Sequence, residues 1–216
     1  MNLSELRKLT YVFTRDFKRE RFDPLLVDAF LNEAQQEFNA DTGIYRMRTQ
    51  LAITNGVGTL NVSDVQGDIL RVEDANNNNQ FLARTSEEAM DVLKGATWRN
   101  DSTGAMQFWM RGKPNEGNQN GYDTILVYPA ITGTINVHYV KLPPTMANDS
   151  DPAVIPVRYH HALAWHAAYN LLSPVEAAVA ATANGPLPQF AQQALDRYQQ
   201  FLVRGKQEAD SALRWH

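Results

Sequence analysis

The spacing of apolar residues changes period twice along the chain, and the changes divide it into three parts. Residues 5–43 follow helical spacing. Leu6, Leu9, Val12 and Phe13 recur at i, i+3, i+6 and i+7, which predicts a short helix with Ser4 as its cap. Asp23-Pro24 then starts a second helix, because Asp accepts backbone N–H groups and Pro fits the first helical position. Leu26, Phe30, Ala34 and Phe38 form its apolar i, i+4 row, so the stripe through Phe30 is expected to face the core. Gly43 is placed to end it.

Residues 44–140 switch to a period of two. Tyr45, Met47, Thr49, Leu51 and Ile53 alternate with mostly polar neighbours. Asn55-Gly56 is a hairpin signal, and residues 65–68 (VQGD) read as a turn. Asn76 to Asn79 form an apolar-free tip suited to left-handed backbone. Thr85, Ser86, Glu87 and Glu88 are a capping box for a short helix that Gly95 stops. Residues 113–122 read as an exposed loop. Strands at 124–128 and 134–140 are expected to close the sheet around Pro129 and Gly133.

Helical spacing returns after Pro156. Tyr159, Leu163, His166 and Asn170 form one row, with Ala162, Trp165 and Tyr169 beside it. Ser173-Pro174 is expected to break this helix and start another, and residues 185–188 (GPLP) to form a rigid corner. A last helix runs from about Gln189 to about Leu213, with Phe190, Ala194, Tyr198 and Phe201 as its apolar row. Strands and helices are thus segregated along the chain. The expected fold is α+β: a helical core from residues 1–43 and 141–188, an inserted antiparallel β domain at 44–140 resembling a barrel, and a C-terminal helical arm at 189–216.

Composition narrows the function. The chain has 216 residues with 44% apolar content, enough for one sizeable core, or one core with a satellite. Its net charge of −4 argues against sequence-independent DNA binding, which needs clustered Lys and Arg. The chain has no Cys, which excludes disulfides, thiolate metal sites and a Cys nucleophile. No apolar run has the length of a signal peptide or membrane span, so a soluble protein with no membrane partner is expected.

Few residue sets have the spacing of a catalytic or metal site. His160, His161 and His166 are one, five and six apart, so on a helix they diverge instead of sharing a metal. Asp149 with Asp151, Glu87 with Glu88, Asp64 with Asp68, and Glu5 could serve a glycan hydrolase as paired carboxylates, but each sits in a loop or at a helix start, where acids serve as caps. No G-x-S-x-G elbow or phosphate-cradling Gly motif is present. Trp98, Phe108, Trp109 and Tyr122 could stack sugars or bases, or fill a core. Arg15, Lys18, Arg19 and Arg21 form the one basic cluster, interleaved with Asp16, Glu20 and Asp23; it reads as a solvated or inter-subunit face, with nucleic-acid binding as the alternative. The terminal residues 211–216 (SALRWH) place Trp beside Arg at the end of a polar helix, a pairing typical of interface anchors, with a frayed tail carrying an incidental Trp as the alternative.

Two blocks carry a family resemblance. The first, about residues 23–40, contains LNEAQQEF at 31–38. Residues 122–172 run strand, YP turn, strand ending in HYV, LPP, acidic loop, IP and Tyr-bearing helix. This succession resembles the head-to-tail adaptor proteins of tailed bacteriophages. The resemblance implies a structural protein of the virion, assembled in the host cytoplasm, with no enzymatic activity and no cofactor or metal. It implies a dodecameric ring beneath the portal protein that extends the DNA channel, lets DNA pass without sequence-specific binding, and docks the next tail or nozzle component. It makes the helix from Gln189 a portal-binding arm, with Phe201, Leu213, Arg214, Trp215 and His216 as contacts. The rival expectations are the carboxylate glycan hydrolase and an aromatic glycan- or nucleic-acid-binding β module.

Overall fold

The computed structural model describes residues 1–61, 65–95, 97–112, 122–182 and 189–214. It divides into two compact units, residues 1–45 with 143–216, and residues 46–142. The first is helical and the second is built of strands, as α+β segregation requires. Among the described residues, no helix is long and apolar enough to cross a membrane.

The helical unit contains α1 (Leu3–Phe13), α2 (Pro24–Thr42), α4 (His160–Thr182) and α5 (Phe190–Arg214). The cap of α1 is Asn2, not Ser4. Its side chain accepts from the Glu5 N–H at 2.9 Å, while the Glu5 carboxylate accepts from the Asn2 N–H at 3.0 Å, so two otherwise orphaned donors are satisfied together. Asp23 caps α2 by accepting from the Leu25 N–H at 2.7 Å, and Gly43 closes it in left-handed backbone at φ 59°. The buried row of α2 is Val27, Leu31, Ala34, Phe38 and Thr42. The predicted stripe is therefore correct at Ala34 and Phe38 and wrong at its start: Leu26 is exposed and Phe30 only half-buried.

Helix α4 is buried on most sides, with Ala162, Leu163, Ala167, Leu171 and Leu172 in the unit's core. It runs through Pro174 without a break, contrary to the expectation from Ser173-Pro174. A Pro inside a helix removes one hydrogen bond and is unfavourable by about 3 kcal/mol. Here Leu171 and Leu172 on one side of it and Val175 on the other pack on the same core, which opposes a break. The predicted corner at residues 185–188 lies outside the described residues.

The second unit is a two-layered β structure. One sheet has the order β1 (Arg46–Ile53), β8 (Gly133–Lys141), β3 (Val65–Asp74), β4 (Gln80–Phe81). The other has the order β2 (Val57–Asn61), β7 (Tyr122–Tyr128), β6 (Phe108–Arg111), β5 (Ala83–Arg84). Pairing is antiparallel except for β5 with β6. Alternation points Ile53, Ile69, Val72, Ile135, Val137 and Tyr139 of the first sheet and Leu60, Trp109, Ile125 and Val127 of the second into one core. Helix α3 (Glu87–Lys94), capped by the Ser86 hydroxyl, contributes Met90 to a small cluster with Trp98, Met110 and Tyr128.

Three strand expectations change. Asn55 and Gly56 do adopt the positive φ of a tight turn, 49° and 75°, but β1 and β2 leave it for different sheets. The Gly56 backbone is locked between the strands instead: its N–H donates to the Ile131 carbonyl at 3.0 Å and its carbonyl accepts from the Val127 N–H at 2.8 Å. A Cβ on Gly56 would fall 2.7 Å from Ala130 Cα, so only Gly fits. Likewise β7 and β8, expected to close one sheet, belong to opposite sheets. Residues 65–68 are an irregular part of β3, where the register against β8 shifts, and not a turn.

Candidate partner-docking surfaces

Helix α5, expected as a separate arm, is joined to the helical unit along one face. Ala191, Ala194, Tyr198 and Ala209 are buried, and Phe201 and Leu202 are half-buried against the core. Its start is held by Glu176, whose carboxylate accepts from the Ala191 N–H at 3.1 Å. Near its other end Glu208 accepts from the Tyr159 hydroxyl and pairs with Arg158. Gly205 is buried where α5 meets α2: a Cβ there would lie 2.8 Å from Thr42 Cγ2 and 3.0 Å from the Phe38 ring. Thr42 has little freedom to move, since its hydroxyl donates to the Phe38 carbonyl at 2.7 Å. Gly205→Ala therefore lowers stability by about 1–3 kcal/mol through overpacking, although Ala raises helix propensity by about 1 kcal/mol. Thermal unfolding of the variant against the parent checks the sign.

The opposite face of α5 carries Gln192, Gln193, Asp196, Arg197, Gln199, Gln200, Arg204 and Gln207, all exposed. Of the proposed portal contacts, Phe201 faces the unit's own core. Leu213 and Arg214 form the last turn of α5. Trp215 and His216 lie outside the described residues.

One buried polar group at the α2–α4–α5 junction is incompletely satisfied. The Nε2 of His166 is 3.1 Å from a Glu37 carboxylate oxygen, and its ring stacks on Tyr198 at 4.4 Å. Its Nδ1 and the Tyr198 hydroxyl are buried with no hydrogen-bond partner among the described residues. Burial pushes the His166 pKa down and the Tyr198 pKa up. Burial also lowers His160, whose Nε2 is 2.7 Å from the Ile155 carbonyl. A His with a depressed folded pKa binds fewer protons than the unfolded chain does, so stability is full above about pH 6.5 and declines as pH falls below it. Each such His contributes a slope of at most about 1.4 kcal/mol per pH unit. Glu37, raised by burial, acts in the opposite direction at more acid pH. Urea unfolding at pH 7.5 and 5.5 should show a lower midpoint at 5.5, and His166→Gln should flatten the difference.

The other chemistry-bearing sets are dispersed. Asp149 pairs with Arg7 at 3.0 Å, while Asp151 accepts from the Ala147 and Asn148 N–H groups, both at 2.8 Å, which hold its pKa below the usual range. Glu87 pairs with Arg99 at 2.7 Å. Asp64 lies outside the described residues. Among the described residues no His, Asp or Glu group could hold a metal ion. Trp109 is in the β core and Trp98 is buried, its indole N–H donating to Asp91 at 2.6 Å. Phe108 packs beside Trp98, so these three rings fill cores and do not form an open stacking surface.

The comparison that decides the family covers nearly the whole chain: the model of the SU10 adaptor protein matches residues 1–215. The chain belongs to the SU10 adaptor protein family. No curated protein matches it. The family accords with the resemblance to phage head-to-tail adaptors carried by residues 31–38 and 122–172, and it extends over the β unit, where sequence motifs are weak. Within the helical unit, the first block meets the part of the second that follows β8. Asn32 of the first donates to the Met146 carbonyl and accepts from its N–H, and Gln35 donates to the Pro144 carbonyl and accepts from the Val154 N–H. The NEAQ segment is thus the clamp that holds the loop between β8 and α4. That is a structural reason for the two signatures to occur together. Sequence reasoning missed the exposed Leu25 and Leu26 at the start of α2; the signal was present in the competing row Val27, Leu31, Phe38.

Proposed function

We propose that this adaptor is a structural component of the head-to-tail junction of a phage virion and performs no catalysis. Copies form a ring, a dodecamer, beneath the portal. The ring extends the DNA channel and offers its far side to the next tail component. The match to the adaptor family along residues 1–215 carries this reading. A net charge of −4 suits a channel wall along which DNA slides without sticking.

In this reading the end of α5 attaches the ring to the portal. Because Phe201 packs against its own unit, the attachment set narrows to Leu213, Arg214, Trp215 and His216. Each contact is weak alone, and repetition around the ring makes attachment tight. Co-expression with the portal protein of the same phage, followed by gradient sedimentation, tests the function. The adaptor should travel with the portal ring. An adaptor that stays at the position of the free chain when portal rings are present would contradict it.

A further inference from the structure

The corner between α1 and α2 presents an apolar surface, and the cations around it meet no carboxylate among the described residues. Val12 (51% exposed), Phe17 (73%), Leu25 (77%) and Leu26 (45%) all lie there, within fifteen residues of chain. Exposed apolar side chains gathered in one place mark a contact surface. The corner is also rigid. Asp16 is buried, and its carboxylate accepts from the backbone N–H groups of Glu20, Arg21 and Phe22 at 3.2, 3.0 and 3.2 Å. Arg15 and Arg19 are held in left-handed backbone, both at φ 58°, which non-Gly residues adopt only when the surroundings impose it.

This arrangement separates the charges that alternate in the sequence. Asp16 is spent on backbone groups and Asp23 on the cap of α2, while Glu20 stays exposed among the four cations and leaves the corner with a positive excess. Arg15 stacks over Phe190 at 4.0 Å, Arg19 lies over Tyr11 at 5.8 Å and Arg21 over Phe22 at 5.1 Å. Lys18, Arg19 and Arg21 form no salt bridge among the described residues, whereas Arg7, Arg158 and Lys206 of the same unit each meet a carboxylate. The surface therefore fits an acidic partner. Nucleic acid would use the cations but has no place for Val12, Phe17, Leu25 and Leu26, so the partner is a protein.

The complementary surface is present on every other copy. Along α2, Glu33, Glu37 and Asp41 repeat at i, i+4 and i+8 on an exposed face, with the small residues Ala29 and Ala40 beside them. Glu33 forms no ion pair or hydrogen bond among the described residues; Glu37 meets His166 Nε2 at 3.1 Å and Asp41 meets Lys206 at 3.9 Å, yet all three side chains stay exposed and keep carboxylate surface for a cation of the next copy. A closed ring needs two different patches on each subunit, one meeting the other around the circle. We propose that the 14–26 corner of one copy, with Phe17 as its apolar knob and Lys18, Arg19 and Arg21 around it, docks on the Glu33–Glu37–Asp41 face of α2 of the next copy. The proposal rests on the ring reading above and adds the two faces that meet.

Charge reversal with rescue tests it on the full chain. Self-association is measured by sedimentation equilibrium at low salt up to about millimolar concentration, a range that detects weak contacts. Arg19→Glu with Arg21→Glu, and separately Glu33→Lys with Asp41→Lys, should each weaken association about tenfold or more, corresponding to about 1.4 kcal/mol. All four changes in one chain should restore it. The chain has no Cys, so Phe17→Cys with Ala40→Cys should give a disulfide ladder of dimer, trimer and larger species. Circular dichroism verifies that each variant is folded. If the parent associates and neither reversal weakens it, the proposed faces are wrong and the ring reading stands. If corner reversal instead removes only binding to duplex DNA, the partner is nucleic acid and the proposal falls. If the parent stays monomeric with no ladder, free and with portal rings, both the faces and the ring are refuted.

Discussion

Trp109→Ala is expected to destabilise the β unit by about 3–5 kcal/mol, the range for removing a large aromatic from a core. The ring is 2% exposed, and its strand partner is Val127 of β7, itself buried. Around it are Leu60, Ile125, Ile135 and Val137, drawn from both sheets, so the cavity would open at the centre of the layer and not at an edge. A domain of this size is stable by about 5–15 kcal/mol in all, so the variant lies close to unfolding. Calorimetry should show the β transition lowered by more than about 10 °C. The helical unit, whose core is a separate cluster centred on Phe38 and Leu163, should keep its own transition. A loss below about 1 kcal/mol would mean that Trp109 is not a core residue. The glycan- or base-stacking alternative would then regain its main residue.

Ending the chain at Asp210 is expected to abolish portal attachment while leaving the subunit folded. The last buried residue of α5 among the described side chains is Ala209, so removal of residues 211–216 takes away no described core contact. The change in stability should stay within about 0.5 kcal/mol, as for surface substitutions. The change in attachment should be far larger. A weak contact repeated around a ring multiplies in avidity by about 10²–10⁴, and that factor is lost with the contact. Gradient co-sedimentation of parent and truncated chains with portal rings reads both outcomes in one experiment. Retention of the truncated chain at parental level would remove residues 211–216 from the docking site.

The elements most legible in the sequence were those with a local cause. Asp23-Pro24 starts α2, Ser86 starts α3 and Gly43 ends α2, because caps and left-handed glycines act within a few residues. Partners across the sheets were not legible. Nothing near Asn55-Gly56 tells the chain that β1 pairs with β8 and β2 with β7; the lock on Gly56 comes from Val127, Ala130 and Ile131, about seventy residues away. The continuity of α4 past Pro174 likewise depends on packing against the core, which outweighs a local preference. The corner at residues 14–26 shows the same limit in a functional setting. Its four cations alternate with three acids in the sequence. They separate only once Asp16 turns inward to three backbone donors, and Leu25 and Leu26 are released to the surface because Val27 and Leu31 take the core positions.

Electron cryomicroscopy of the adaptor co-assembled with its portal protein tests the central claim most directly. The account predicts a closed ring of adaptor copies coaxial with the portal, the ends of α5 seated on portal subunits, and the 14–26 corner of each copy against α2 of its neighbour. Portal rings bare of adaptor, or adaptor bound as isolated copies without lateral contact, would contradict it.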